Sequence, residues 1–186
     1  MADKPPSKII VRAASAAERP LIEGLFQLYA YDWSEMEPPD SSAFEVDALG
    51  RFPSDPHLDA YWRDTGPTPD RWPLLIEVGG RTAGFALLNT HSHRDGGMIE
   101  RNMGEFFVLR KHRRQSVALA AFHQILAMHP GQWEVAVAQR NIAARAFWER
   151  AIRTADTVSD LHAHEGDGQH WRGPIWSFRA APPARG

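Results

Sequence analysis

The run from Gly104 to Ala118, GEFFVLRKHRRQSVA, constrains this chain most. Its first half is an apolar stretch of strand type with one carboxylate, Glu105. Its second half is a basic turn holding Arg110, Lys111, Arg113 and Arg114, and the turn opens an apolar segment of helical spacing near Ser116. A helix N-terminus offers unpaired N–H groups and a partial positive charge, which suits a phosphate. Guanidinium groups beside it add charge-assisted hydrogen bonds. Strand, basic turn and helix in this order suit an enzyme that holds a phosphorylated cofactor and takes a proton from a second substrate. Taken alone, the basic turn also reads as a solvated surface, because it lacks the glycines that let a backbone approach phosphate closely.

The rest of the pattern predicts a single α/β domain with a mixed α+β sheet over 1–186, with a core at about 8–179 and flexible tails at 1–7 and 180–186. A short strand at 9–11 is followed by a helix over 17–31, which Pro38 and Pro39 stop from continuing. An irregular, proline-punctuated segment follows, with a helical turn expected near 57–63. Gly79-Gly80 turns a strand at 74–78 into its partner at 81–89, because both glycines can take positive φ. Asp95-Gly96-Gly97 turns next into a long strand over 98–109. A helix over 116–128 ends at Pro130-Gly131, and Trp133, Val135 and Val137 alternate as a strand. Asn141 is a good cap for a further helix that buries Ala144, Phe147 and Ile152 or their neighbours. Two last strands are expected at 154–159 and 171–178.

Composition removes several classes of function. The absence of cysteine excludes disulfides, thiolate nucleophiles and cysteine–zinc sites. A net charge of -2 gives no whole-molecule case for nucleic acid or membrane binding. No run has the length and apolarity of a membrane span or a signal peptide, so a cytoplasmic location is the expectation.

From Glu105 to Ile152 the chain resembles the GNAT acyltransferase superfamily. The resemblance rests on EFFVLRKHRR, on the strand Trp133-Glu134-Val135-Ala136-Val137, and on Asn141-x-x-Ala144-x-x-Phe147-Trp148. The family's pyrophosphate motif, Gln/Arg-x-x-Gly-x-Gly/Ala, maps onto Arg113, Arg114, Gln115, Ser116, Val117 and Ala118. The resemblance implies a mostly antiparallel central sheet splayed between its fourth and fifth strands and flanked by helices. It implies direct transfer of an acetyl group from acetyl-CoA to an amine. Backbone groups of Phe107, Val108 and Leu109 would hold the pantetheine arm, and Arg113 to Ala118 the pyrophosphate. Asn141 and Trp148 would line the other side. Glu105 is the candidate base, and alternation places it on one face with Met103 and Phe107. Two departures stand out: Ser116 replaces the family glycine, and Trp148 replaces a tyrosine that protonates the leaving thiolate. Trp has only an indole N–H and is no useful acid at neutral pH.

The segment after the first helix is acidic and aromatic, with Tyr31, Asp32 and Trp33 as candidate acceptor-binding residues. Carboxylates and ring faces suit a small cationic amine. His91-Ser92-His93 and His162-Ala163-His164 with Asp167 and His170 lack a standard metal spacing and read as solvated loops, so no metal is expected. Trp171 and Trp176 suggest core or interface, with a homodimer paired through the last strands as one outcome. Two other readings stay open at this point. One is the same fold with an aminoacyl-tRNA donor, which the Arg110–Arg114 cluster would hold. The other is a non-catalytic ligand-binding protein, motivated by Ser116 and Trp148.

Overall fold

The computed structural model describes residues 8–53, 57–62 and 70–182. The elements run β1 (Ile9–Ala13), α1 (Arg19–Ser34), β2 (Arg71–Val78), β3 (Arg81–His91), β4 (Met98–Val108), α2 (Val117–Met128), β5 (Gly131–Ala136), α3 (Ile142–Arg153), β6 (Val158–Glu165) and β7 (Pro174–Ala180). They form one sheet of order β1-β2-β3-β4-β5-β7-β6. Every neighbouring pair is antiparallel except β4 and β5.

The sheet buries both faces. Ile22, Leu25 and Phe26 of α1 meet Leu75, Phe85, Leu87 and Phe107 on one side. On the other side α2 and α3 pack Phe122, Ile125, Leu126, Trp148 and Ile152 against Ala86, Leu88, Trp133 and Val135. Each large side chain taken out of water contributes about 2–3 kcal/mol. Gln124 on α2 closes the outer edge of β1: its Oε1 accepts from Val11 N–H at 2.9 Å and its Nε2 donates to Ile9 O at 3.0 Å. That removes part of an exposed strand edge. Among the described residues no helix is long and apolar enough to cross a membrane.

Several expectations shift. The sixth strand begins at Val158 rather than near 154, because Thr154 closes α3, its N–H and Oγ1 both donating to Arg150 O at 3.0 and 2.9 Å. His162 and His164 therefore lie on a strand, not in a loop. The last strand ends at Ala180, which is buried, so the tail starts later than 180. On α3 the buried residues are Trp148, Ala151 and Ile152. Ala144 and Phe147 are only partly covered, because they face a cleft. The helical turn near 57 is a 3₁₀ turn, Leu58–Tyr61, and its expected end at 63 lies outside the described residues, as do 1–7 and 183–186.

Candidate active site

The cleft begins with a fault in β4. The register with β3 runs Leu87↔Glu105 but Leu88↔Met103, so Gly104 is an extra residue. Such a bulge bends its strand and strengthens the local twist. Space beside it is tight: a Cβ would stand 2.6 Å from Asn89 Nδ2 and 3.1 Å from Leu87 O, so a larger residue requires the Asn89 amide to move. The bulge also changes which side chains share a face. Phe107 remains with Glu105 on the α1 side, but Met103 is turned to the α2 side, against the alternation read from sequence.

β4 and β5 pair only at Arg101↔Trp133 and Asn102↔Glu134. Beyond those rungs they part, and the backbone edge of β4 from Met103 to Val108 opens onto the gap. Leu109 N–H donates to Ala83 O at 2.8 Å. Period-two alternation then turns the main-chain groups of Phe107 and Leu109 toward β3 and those of Phe106 and Val108 toward the gap. Val108 O accepts from Arg113 Nε at 2.7 Å, as that alternation requires. The main-chain groups of Phe107 and Leu109, both expected to face the cofactor, thus point to β3, while those of Phe106, not singled out in the sequence, face the gap.

Two cavities open along the gap, and Tyr29, Trp33, Phe106, Asn141 and Trp148 line both. The larger, about 970 Å³, reaches the start of α2. There Arg114 and Ser116 both take left-handed φ, 60° and 58°. Ser116 caps α2 without any side-chain hydrogen bond. The first intrahelical bond is Ala120 N–H to Ser116 O, which leaves the N–H groups of the opening turn directed outward. The α3 start is different: Asn141 Oδ1 accepts from Ala144 N–H at 3.0 Å and occupies that end. Arg113 and Arg110 converge on Asp32, and Arg110 Nε donates to its Oδ1 at 2.9 Å. Asp32, a candidate acceptor-binding residue, thus stands at the cationic end of the larger cavity and does not line the smaller one. Gln115 turns outward and donates to Lys111 O at 2.9 Å.

The smaller cavity, about 660 Å³, lies on the α1 side of the bulge. Glu105 lines it and accepts a hydrogen bond from Tyr29 OH. Aromatic rings from Phe26, Trp33, Phe44, Phe106, Trp148 and Trp171 supply much of its wall. Glu37 and Arg140 pair across its mouth, and the guanidinium beside Glu37 holds that carboxyl below its ordinary pKa. Tyr31 lines neither cavity; it is 61% exposed, with Arg110 stacked over its ring at 5.9 Å. The acidic segment is mostly neutralised locally: Asp32 by Arg110 and Arg113, Asp59 by Arg19, and Asp47 by turn N–H groups of Leu49 and Arg51. Asp55 and Asp64 lie outside the described residues.

The model of the Acetyltransferase (GNAT) family matches residues 27–152. The chain belongs to the GNAT acetyltransferase family. An acetyltransferase from Thermus thermophilus is 12% identical, with a TM-score of 0.59 over 94% of this chain and 97% of that one. The putative acetyltransferase yncA from Salmonella typhimurium, solved with its cofactor acetyl-CoA, is 16% identical (TM-score 0.53, 96% and 100% covered). The diaminobutyrate acetyltransferase EctA from Paenibacillus lautus, solved with L-2,4-diaminobutyric acid and coenzyme A, is also 16% identical (TM-score 0.52, 97% and 99% covered). At these identities the likeness is one of fold. No curated protein matches the sequence.

Within this GNAT chain, Ser116 holds a left-handed φ of 58°, a conformation that glycine adopts at no steric cost. Trp148 is 6% exposed and packed edge-on by Phe106 at 5.2 Å and Phe122 at 5.1 Å, as a cleft wall and not a proton donor. The late tryptophans divide: Trp176 is core, and Trp171 walls the smaller cavity with its Nε1 on Val137 O at 3.2 Å. Among the described residues no group of three His, Asp or Glu is placed to hold a metal. His170 Nδ1 instead bonds Asp167 at 2.6 Å, which holds that carboxyl far below its usual value.

Proposed function

We propose that the chain moves an acetyl group from acetyl-CoA directly to the primary amine of a small acceptor. The observation that carries this reading is the junction of two cavities at an unpaired strand edge, with an uncapped helix start at one end and a carboxylate at the other. Val108 and Phe106 main-chain groups would hold the pantetheine arm and polarise the thioester carbonyl, an oxyanion-hole role. Arg113, Arg114 and the N–H groups at Val117 and Ala118 would hold the pyrophosphate. Asn141 and Trp148 would close the opposite wall. With no cysteine in the chain, no acyl-thioester intermediate on the protein arises.

Glu105 takes a proton from the attacking nitrogen, with Tyr29 OH orienting the carboxylate. A thiolate leaves without a tyrosine to protonate it, and Trp148 in that place keeps the position dry. The acceptor cavity holds two carboxylates, Glu37 and Glu105, against one guanidinium, Arg140, and many ring faces. That balance favours a cationic amine with an apolar body. The EctA neighbour's substrate, L-2,4-diaminobutyric acid, supports a small amine as the acceptor class. The volume suits an acceptor of ordinary metabolite size.

Thiol release from acetyl-CoA, followed over a panel of cationic, neutral and acidic amines, tests this. Cationic amines are expected to react fastest, and Glu105→Gln to lower kcat about 100-fold with a changed pH profile. A preference for acidic amines, or an unchanged Glu105→Gln profile, contradicts it.

A further inference from the structure

Glu134 is a buried carboxylate, 1% exposed, with no part in the chemistry above. It projects from β5 on the α1 side, opposite Trp133 and Val135. Ser92 Oγ donates to it at 2.9 Å and His93 N–H at 2.5 Å, which ties the turn after β3 to β5. Burial pushes its pKa up, but donors from His93 and Ser92 outweigh burial and leave it below the ordinary value, so it is charged.

Anchoring the turn does not account for the His93 ring. Its Nδ1 is buried without a hydrogen-bond partner and lies 3.5 Å from Glu134 Oε1. Trp171 packs edge-on against the ring at 4.5 Å, and His91 at 5.2 Å. The ring is 17% exposed and lines the same 660 Å³ cavity as Glu105. With Nδ1 at the buried end, Nε2 is the nitrogen that meets the cavity. A carboxylate beside Nδ1 favours the tautomer protonated there and leaves the Nε2 lone pair open.

We propose that His93 is a second proton acceptor of this cavity, whose Nε2 takes the proton an arriving ammonium must shed before it can attack, with Glu134 as its positioning residue. This rests on the acetyl-transfer reading. The balance requires two proton departures from nitrogen: ammonium plus thioester gives amide, thiol and one released proton. In the first, an N–H bond breaks, its electron pair stays on the amine, and an Nε2–H bond forms; the imidazolium faces Glu134 and passes the proton to water. In the second, Glu105 accepts as the C–N bond forms, and that proton ends on the departing sulfur.

Long-range 1H–15N correlation of the histidine rings in the full chain reads the tautomer. His93 is expected to be protonated on Nδ1, and Glu134→Gln to raise the Nε2–H form. In turnover, benzylamine arrives as the ammonium near neutral pH and aniline as the free base. His93→Gln is expected to slow benzylamine about 100-fold and aniline less than about threefold, with acetyl-CoA affinity unchanged in calorimetry. Glu134→Gln is expected to lower kcat for benzylamine while KM holds. A wild-type ring protonated on Nε2, or equal losses for both amines, overturns the proposal. If neither amine reacts, the tautomer decides it. Absence of acetyl-CoA binding overturns the acetyl-transfer reading, and this proposal with it.

Discussion

Replacing Gly84 with alanine tests how the cleft wall is built. Gly84 on β3 faces Val108 on β4. An added Cβ would stand 2.0 Å from Phe107 O and 3.0 Å from both Phe107 C and Val108 Cα. All three are backbone atoms, so no side chain can swing aside. Reaching ordinary contact means opening the ladder by about 1 Å or more, at an overpacking cost of about 2 kcal/mol. A weakened ladder bond adds about 1 kcal/mol. The total, about 3 kcal/mol, lowers Tm by about 6–12 °C in a chain of this size. The displaced segment carries Val108, so acetyl-CoA affinity is expected to fall about tenfold or more. Gly24→Ala is the control: it is an exposed residue of α1 with nothing within 4 Å of its Cβ, and alanine there is expected to stabilise by about 0.5–1 kcal/mol. Thermal unfolding and calorimetric titration read both variants. A Gly84→Ala protein that melts within about 2 °C of wild type and binds equally well would refute the argument.

Two further outcomes follow from single sites. Ser116→Gly relieves a left-handed φ of 58° without losing a cap bond, so denaturant unfolding is expected to show a gain of about 0.5 kcal/mol, and a loss above about 1 kcal/mol would show that the hydroxyl holds the loop. Burial, then Arg101, pushes the His129 pKa down to about 4, while the unfolded chain titrates near 6.5. Unfolded His129 therefore binds a proton first as pH falls through that window, and stability present above about 6.5 declines toward pH 4. The ring is partly exposed, so the decline is about 1–2 kcal/mol, and His129→Gln is expected to flatten it; an unchanged slope counts against this assignment.

Much of the fold was legible because hydrophobic period and turn chemistry are local. The Gly79-Gly80 hairpin, the Asn141 cap and the strand–turn–helix around Arg113 all follow from neighbours in sequence. Gly104 was itself a signal, since an isolated glycine in a strand pattern marks a bulge, and reading it would have placed Met103 correctly. Tyr31 and Asp32 illustrate the opposite case. Consecutive helix positions face different directions, and only the packed position of α1 reveals that Asp32 meets two arginines while Tyr31 meets solvent. Tyr29 touches Glu105 across 76 residues of sequence. His93 and Glu134 meet across about 40 residues through a parallel rung and a turn, a pairing no local spacing encodes. The His162–His164 segment lies on a strand where the sequence pattern suggests a loop, because Thr154, a good strand former, is captured by the end of α3.

Calorimetric titration with acetyl-CoA tests the central claim most directly, with Arg113→Ala and Arg114→Ala beside the wild type. The account predicts micromolar binding that weakens about tenfold in each variant. Binding that is absent in the wild type, or indifferent to both arginines, would contradict it.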